Sequence, residues 1–405
     1  MQKLEDVVIP MNRNDVKYLV GSESIEIKPL PVYSDIVCEF LDEISGMLRK
    51  DTEARMYPDV LTFAFWCRRA NIKKLKENYV TPYLRVGKGM VFHVAPSNVP
   101  INFAFSLVFG MLSGNANVVR VSQKDFPQVP IVCRIINKAL EDEKYEVLRK
   151  QIQVVSYGHS KEINDYYSKE CHARVIWGGD ATIEELRRSP LGTRATEITF
   201  ADRYSFAIMS ESAVNELSEE GLLELAGKFY NDTYLMDQNA CSSPHLILWK
   251  DAVEKETGRK KFWQAVAKVA EKYDLPEKKV MDKYTILCEQ SAGMEEIHAL
   301  DSYDNLLYVA KLSRLPEELE DLRGRFGLFY EADIEDYKDV ISKITPKMQT
   351  FVTYGIDKQA LATAIVENHA LGVDRIVEIG DSMNIGVYWD GLDVIGNLSR
   401  QIVVE

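Results

Sequence analysis

Asp237-Gln238-Asn239-Ala240-Cys241-Ser242-Ser243-Pro244 sets a cysteine on a polar turn between two apolar segments, a helical pattern ending near Asp232 and a strand-like run from His245 to Trp249. A thiolate on such a turn is a nucleophile within reach of a substrate. The small neighbours Ala240, Ser242 and Ser243 leave room for a carbonyl beside the sulfur. A cysteine taken alone is more often a buried, inert thiol. A second stretch, Ala95-Pro96-Ser97-Asn98-Val99-Pro100, shifts that balance: it follows a strand, Met90 to Val94, and opens a helix, Ile101 to Leu112. The Asn98 amide therefore lies at a strand end. A carboxamide donor and the cysteine's own backbone N–H together make an oxyanion hole for a thiol attacking a carbonyl. Cys241 is the expected nucleophile and Asn98 the expected oxyanion donor.

Two further stretches suit a dinucleotide. The strand Asn117 to Val121 runs into Arg120-Val121-Ser122-Gln123-Lys124, two cations flanking a hydroxyl and an amide. Arg120, Ser122, Gln123 and Lys124 fit an adenosine ribose and its phosphate, and no carboxylate stands there to repel a 2′-phosphate. NADP is the expected cofactor; the plain alternative is a solvated basic turn. Gly178-Gly179, between the strand Arg174 to Trp177 and a helix from Thr182 to Arg188, can offer backbone N–H groups to a pyrophosphate, or be a simple turn. Neither a G-x-G-x-x-G fingerprint nor a Walker A loop is present.

The elements that must position these residues alternate. From Met90, short apolar strands and amphipathic helices succeed one another, which predicts parallel sheets covered on both faces. Before that come a strand-like preamble (VVIP, KYLVG, IEIKPL) and two helical patterns, roughly Val32 to Leu48 and Tyr57 to Lys76. The pattern restarts after the strand Tyr204 to Met209, so a domain change is placed near Ser210. This gives N-terminal helices and a dinucleotide-binding domain over 1–210, a catalytic domain over 211–385 and a tail over 386–405. The tail ends in a strand, Arg400 to Glu405, with nothing after it to cover it. Such an edge predicts a homodimer or higher homo-oligomer.

Composition narrows the partners. A net charge of −13 argues against nucleic acid or an anionic membrane. Six cysteines without a C-x-x-C pair, and six histidines without H-E-x-x-H, predict reduced thiols in the cytoplasm and no metal site. The N-terminus has no apolar signal core, and the most apolar stretch, Val91 to Leu112, is broken by Pro96, Asn98 and Pro100. A soluble cytoplasmic protein is expected.

Three blocks carry a family resemblance: GMVFHVAPSNVPINFAFSLVFGMLSGNANVVRVSQKDFP (Gly89 to Pro127), YNDTYLMDQNACSSP (Tyr230 to Pro244) and GVDRIVEIGDSMNIGVYWDGLDVIGNLSR (Gly372 to Arg400). From about Leu61 onward the chain resembles the aldehyde dehydrogenase superfamily, and within it the LuxC-type fatty acyl-CoA reductases. The resemblance implies an α/β fold, with a Rossmann-type cofactor domain and an α/β catalytic domain. It implies NADPH-dependent reduction of an acyl thioester to an aldehyde through a thioester on Cys241. The acyl donor would be acyl-CoA or an acyl-protein thioester, with an acyl-transferring partner protein in the second case.

Position by position, Cys241 falls on the superfamily's nucleophile and Asn98 on its oxyanion-hole asparagine. Arg120 and Gln123 fall on its ribose-binding lysine and glutamate, and Gly178 and Gly179 on its Gly-Ser loop. Glu197 falls on the general-base glutamate, although Thr199-Phe200 replaces the Gly-Gly that follows there. Arg325-Phe326-Gly327 resembles the E-I-F-G element with Gly324 in place of its glutamate. Gln238 stands three residues before Cys241 where the superfamily has two, and Asp374 with Arg375 reads as an ion pair at a strand end. The weakened setting of Glu197 and the missing second glutamate favour reduction over oxidation, and the presence of both Cys241 and Asn98 argues against a non-catalytic chain. Three alternatives to the reduction stand. Those are aldehyde oxidation to acids, an acyl-phosphate reductase of the glutamyl-phosphate kind, and a non-catalytic acyl-carrying subunit.

Overall fold

The computed structural model describes residues 15–253 and 256–405. The strand-like VVIP segment lies outside the described residues. Two compact units emerge, Met1–Ala201 with Val387–Glu405, and Asp202–Gly386. Ser210, where the sequence puts the domain change, is the last residue of a strand of the second unit, and the division falls between Ala201 and Asp202.

Continuous apolar runs make the first unit's sheet. Its strands, with one that lies apart, are β1 (Lys17–Val20), β2 (Leu84–Gly87), β3 (Met90–Val94), β4 (Ala116–Val121), β5 (Ile152–Ser156), β6 (Ala173–Trp177) and β7 (Thr196–Phe200). Six of them line up as β1-β5-β4-β3-β6-β7. β3 to β7 are parallel, and β1 joins β5 antiparallel. All five residues of β3 are buried, and so is every residue of the helix Asn102–Leu112 that follows it, as a parallel sheet covered on both faces requires. The chain winds outward from β3 through β4 to β5, then crosses back to β6 on the other side. That reversal opens a crevice at the carboxyl ends of β3 and β6.

The helical pattern from Tyr57 to Lys76 is in fact two helices, Pro58–Trp66 and Arg69–Asn78. Arg68 between them is extended (ψ 143°), and Asn71 Nδ2 donates to the Trp66 carbonyl at 2.7 Å, satisfying one end of the first helix.

The second unit holds β8 (Tyr204–Ser210), β9 (Pro244–Lys250), β10 (Ile297–Tyr303), β11 (Leu307–Leu312), β12 (Leu328–Asp333), β13 (Met348–Tyr354) and β14 (Arg375–Glu378). They form one sheet in the order β10-β11-β12-β9-β8-β13-β14, parallel except for β10. Alternation decides its two cores. Phe206, Ile208, Leu246 and Leu248 enter one, while Ala207, Met209, Ile247 and Trp249 enter the other.

The tail returns to the first unit as β15 (Tyr388–Trp389), β16 (Leu392–Asp393) and β17 (Ser399–Ile402). β17 does not stand uncovered: it pairs antiparallel with β2 of the same chain, from Ser399 opposite Gly87 to Ile402 opposite Leu84. Arg85 secures the pair, donating from Nε to Ser399 Oγ (2.9 Å) and from its guanidinium to the Gly396 carbonyl (2.6 Å).

Candidate functional site

A cavity of about 740 Å³ lies at the carboxyl ends of β3, β4, β5 and β6. Each wall is the loop that leaves one strand. Asn98 comes from the loop after β3; Arg120, Ser122, Gln123 and Lys124 from the end of β4; Tyr157 and His159 from the loop after β5; Trp177, Gly178 and Gly179 from the end of β6. The structure thus gathers into one cavity seven residues that the sequence singles out separately. It adds Tyr157, Gly158, His159, Trp177 and Thr182. The signal for Tyr157 to His159 was there to be used, since they follow the apolar strand Ile152–Ser156 just as the others follow theirs.

Local bonds shape the walls. The Ser122 hydroxyl accepts the Lys124 N–H at 3.1 Å, tightening the basic turn. The Arg120 guanidinium lies 4.9 Å from the centre of the Tyr157 ring, and Tyr157 is itself tied to Asn164 at 2.8 Å. Arg120 Nε is buried and has no hydrogen-bond partner. A buried, charged donor left without an acceptor is costly unless a ligand supplies one. Gly178 donates its N–H to the Phe200 carbonyl at 3.1 Å, so it has no free donor for a phosphate. Gly179 caps the helix Asp180–Arg187, and a Cβ there would meet open space. The Thr182 N–H donates to the Gly179 carbonyl at 2.9 Å, while the Asp180 and Ala181 amides at the start of the helix have no carbonyl one turn back.

Beneath Trp177 runs a buried polar chain. The Asn117 amide nitrogen donates to the Asn115 carbonyl, which turns Asn117 Oδ1 toward His93 Nε2 at 3.0 Å. Burial lowers the His93 pKa to about 4, so the ring is neutral near pH 7, with its proton on Nε2. Nδ1 then accepts from the Ser106 hydroxyl (2.8 Å), and Ser106 Oγ accepts from the Trp177 indole N–H (2.9 Å). Gly110 is required beside this chain, because a Cβ would lie 1.8 Å from Asn117 Oδ1. Trp177 also stacks on Phe200, with centroids 3.8 Å apart and planes at 19°. Phe200, which replaces a glycine of the resemblance, is a packing partner.

Glu197 is occupied elsewhere. It lies in β7, where Oε2 accepts from Nε of buried Arg174 at 2.9 Å and Oε1 accepts from Arg187 at 2.8 Å. Arg174 also donates to Ser168 Oγ and to the Leu186 and Ser189 carbonyls. Burial pushes the Glu197 pKa up, but the two guanidinium groups outweigh it and hold the carboxyl ionised below its ordinary range. A carboxylate paired with arginines on both oxygens and held below its ordinary range is a weak proton acceptor.

The second unit carries Cys241, half-buried on the turn entering β9. The Cys241 carbonyl accepts from Ser205 Oγ at 2.7 Å, and Ser243 Oγ donates to the Asp232 carbonyl at 2.7 Å. The Asp232 carboxylate in turn receives the N–H groups of Gly380 (2.6 Å) and Ser382 (3.2 Å). Desolvation dominates there and raises the Asp232 pKa to about 6. Gln238 is buried and pairs with Gly327 and Leu328. Gly324 leaves no room for the glutamate of the resemblance, since a Cβ would lie 1.7 Å from the Leu328 carbonyl oxygen. Asp374 and Arg375 are not paired with each other: Asp374 binds Arg203 at 2.5 Å, while Arg375 donates to the Ser382 and Asn384 carbonyls. Sequence reasoning saw neither Asp232 nor the Gln238 contacts, because each partner is remote in the chain.

Four of the other cysteines are held protonated by burial. Burial drives the Cys133 and Cys171 thiols up to about 12 and Cys67 higher still, and it also raises Cys38. Cys288 is exposed on the helix Glu277–Gly293.

Among known proteins, a long-chain acyl-protein thioester reductase of Vibrio harveyi is 26% identical over 164 residues, 40% of this chain. Those residues span 32% of that relative's length. Solved structures share the fold. An indole-3-acetaldehyde dehydrogenase complexed with NAD+ superposes with a TM-score of 0.64 at 11% identity, covering 90% of this chain and 82% of its own. Aldehyde dehydrogenase 21 of Physcomitrella patens gives 0.61 at 10% identity, over 91% and 85%. The 1-pyrroline-5-carboxylate dehydrogenase of Thermus thermophilus gives 0.60 at 14%, over 90% and 80%. The α/β fold is therefore that of the aldehyde dehydrogenases. Residues 35–401 match the family described as acyl-CoA reductase (LuxC), and the chain belongs to that family.

Proposed function

We propose that this chain reduces an acyl thioester, acyl-CoA or acyl-protein, to the aldehyde with NADPH, through a thioester on Cys241. The observation that carries the reading is Cys241 itself, a half-buried thiol on a turn pinned by Ser205, Ser243 and Asp232, in a member of the acyl-CoA reductase family. The cavity residues fit a dinucleotide. Orphaned Arg120 Nε and Lys124 suit a phosphorylated ribose, and the Gly179 turn suits the pyrophosphate. When bound there, the nicotinamide supplies the hydride.

The chain's own residues do the rest. Cys241 sulfur adds to the thioester carbonyl, and the oxygen takes the negative charge. The Cys241 N–H donates to that oxygen, and Asn98 Nδ2 is the second donor that the family resemblance implies. Collapse expels the donor thiolate, which leaves with the proton given up by the Cys241 thiol, and the acyl group stays on sulfur. After reduction the same two donors hold the oxyanion again. Its collapse releases the aldehyde and the Cys241 thiolate, which takes back a proton. No water is activated, so Glu197 serves as the structural counter-ion of Arg174 rather than as a base. Aldehyde oxidation to an acid needs such a base and is the weaker reading.

Assembly as a homodimer belongs to the same proposal. Apolar side chains along β2 and just past β17 are open, Leu84 at 71% and Val404 at 84% exposure, and sedimentation with and without residues 401–405 tests it. The function is tested by incubating the protein with labelled acyl-CoA and no nucleotide. A hydroxylamine-sensitive label is expected on the protein, NADPH is expected to discharge it as aldehyde, and Cys241→Ala is expected to lose both. Label persisting in Cys241→Ala overturns the proposal.

A further inference from the structure

Left-handed backbone clusters in two short segments of the second unit: Asp237 (φ 53°) and Gln238 (φ 59°) just before Cys241, and Phe326 (φ 56°) and Gly327 (φ 87°) just before β12. A non-glycine residue held so is strained and persists only where its surroundings fix it. One side chain joins the two segments. Gln238, 2% exposed, accepts the Gly327 N–H on Oε1 at 2.8 Å and donates from Nε2 to the Leu328 carbonyl at 3.0 Å. Its own N–H donates to the Thr233 carbonyl at 2.9 Å. Two lysines reinforce the join: Lys279 Nζ binds Asp237 Oδ1 at 2.9 Å, and Lys283 Nζ donates to the Phe326 carbonyl at 3.0 Å. An apolar side chain of equal length would fill the same space. A donor and an acceptor that read one backbone C=O and one N–H also fix register, as a sheet rung does.

We propose that Gln238 is a positioning residue for the reaction: it locks the turn bearing Cys241 to the loop bearing Phe326, so that the sulfur is presented in one place. The inference rests on the reading of Cys241 as acyl acceptor. Gln238 acts through the turn and is assigned no contact with substrate.

Two variants of the full chain separate positioning from packing. Gln238→Met keeps the length and removes both hydrogen bonds. Gln238→Glu keeps the acceptor for Gly327 but sets a second carboxylate oxygen against the Leu328 carbonyl unless it is protonated. Two rates are read: acyl transfer from a labelled long-chain acyl-CoA without nucleotide, and alkylation of Cys241 by iodoacetamide followed by peptide mass. Gln238→Met is expected to acylate about a hundred-fold more slowly, the usual penalty of a misplaced reacting group, while its Cys241 alkylates at least as fast as in the wild type. Gln238→Glu is expected to match it near pH 8 and to regain most of the acylation rate near about pH 6, where burial protonates the carboxyl.

Wild-type acylation in Gln238→Met, or no acid recovery in Gln238→Glu beyond that of the wild type, overturns the inference. Should Gln238→Met unfold, seen as alkylation of Cys67 and Cys133, the pH profile of Gln238→Glu decides alone. Label persisting in Cys241→Ala removes the nucleophile reading and the inference with it. Label lost in Cys241→Ala together with wild-type acylation in Gln238→Met removes the inference alone.

Discussion

The cavity of the first unit and the Cys241 turn of the second are built on opposite plans. Loops leaving four parallel strands line the cavity, three glycines stand among them, and Arg120 Nε is left without a partner. Around Cys241 the backbone is left-handed at Asp237 and Gln238, and side chains from distant segments are committed to holding it: Ser205, Ser243, Asp232, Gln238 and Lys279. The cavity leaves polar groups open, and the turn uses its polar groups internally. On the proposed function the first is a ligand site and the second a nucleophile site, so mutations in the two should fail in different ways.

The largest effect expected at the cavity comes from Asn98, its one residue assigned to the chemistry. Asn98→Ala should slow turnover by about a hundred-fold or more through loss of one oxyanion donor, with little change in nucleotide affinity. Steady-state rates and nucleotide titration check this. A variant that loses nucleotide affinity instead of turnover would make Asn98 a binding residue and erase its difference from Arg120.

The turn should reveal itself through pH. Asp232 has a folded pKa of about 6, raised from 3.8 mainly by desolvation. Between about pH 4 and pH 6 the folded chain therefore holds a proton that the unfolded chain has released, so this contribution to stability falls as pH rises through the window. Wild type should lose on the order of 2–3 kcal/mol relative to Asp232→Asn across it, read from urea unfolding of both proteins. A pH-independent difference would mean that the Gly380 and Ser382 amides outweigh burial and that the carboxylate sits there ionised at little cost.

How much of this the sequence carried follows from the same contrast. The cavity was legible because each of its walls is a local event, a loop directly after an apolar run such as Met90–Val94 or Asn117–Val121. Cys241 was legible for the same reason. What holds Cys241 was not, since Gln238 finds its partners at Gly327 and Leu328, and Asp232 finds Gly380 and Ser382, through folding rather than spacing. Glu197 shows the converse case. The resemblance places it on a general base, and only the fold reveals Arg174 and Arg187 on its two oxygens. The terminal strand was seen but not its partner, because β2 lies in a segment whose short run, Leu84–Gly87, carries almost no strand signal.

Glu197 supplies a third and smaller test, away from both regions. Glu197→Gln should leave acylation and reduction near wild type while lowering stability by about 1.5–3 kcal/mol, the range for a hydrogen bond to a charged group. Unfolding curves and turnover measured on the same preparation check it. Turnover lost at unchanged stability would return Glu197 to the chemistry.

The smallest effect concerns which nucleotide the cavity prefers, and it tests whether the open groups there are open for a phosphate. Gln123 lies beside Arg120 and Lys124, and its side-chain oxygen lies close to Gly158, where a Cβ would be 3.4 Å away. A neutral amide at this place neither repels a 2′-phosphate nor gives a 2′-hydroxyl the charged acceptor that favours NADH. Gln123→Glu changes one neutral group to an anion with almost no change in shape. Its repulsion of a phosphate should move the NADPH-to-NADH ratio of kcat/KM toward NADH by about ten-fold, or roughly 1.4 kcal/mol, and high salt should shrink the shift because the turn is solvent-facing. Arg120→Ala should move the ratio in the same direction by removing the cation rather than adding an anion. If Gln123→Glu alters both nucleotides equally while Arg120→Ala still discriminates, the phosphate is read by Arg120 alone. If neither variant moves the ratio, the unpaired Arg120 Nε serves the shared part of the dinucleotide, and the cavity's openness is for the nucleotide as a whole rather than for its 2′-phosphate.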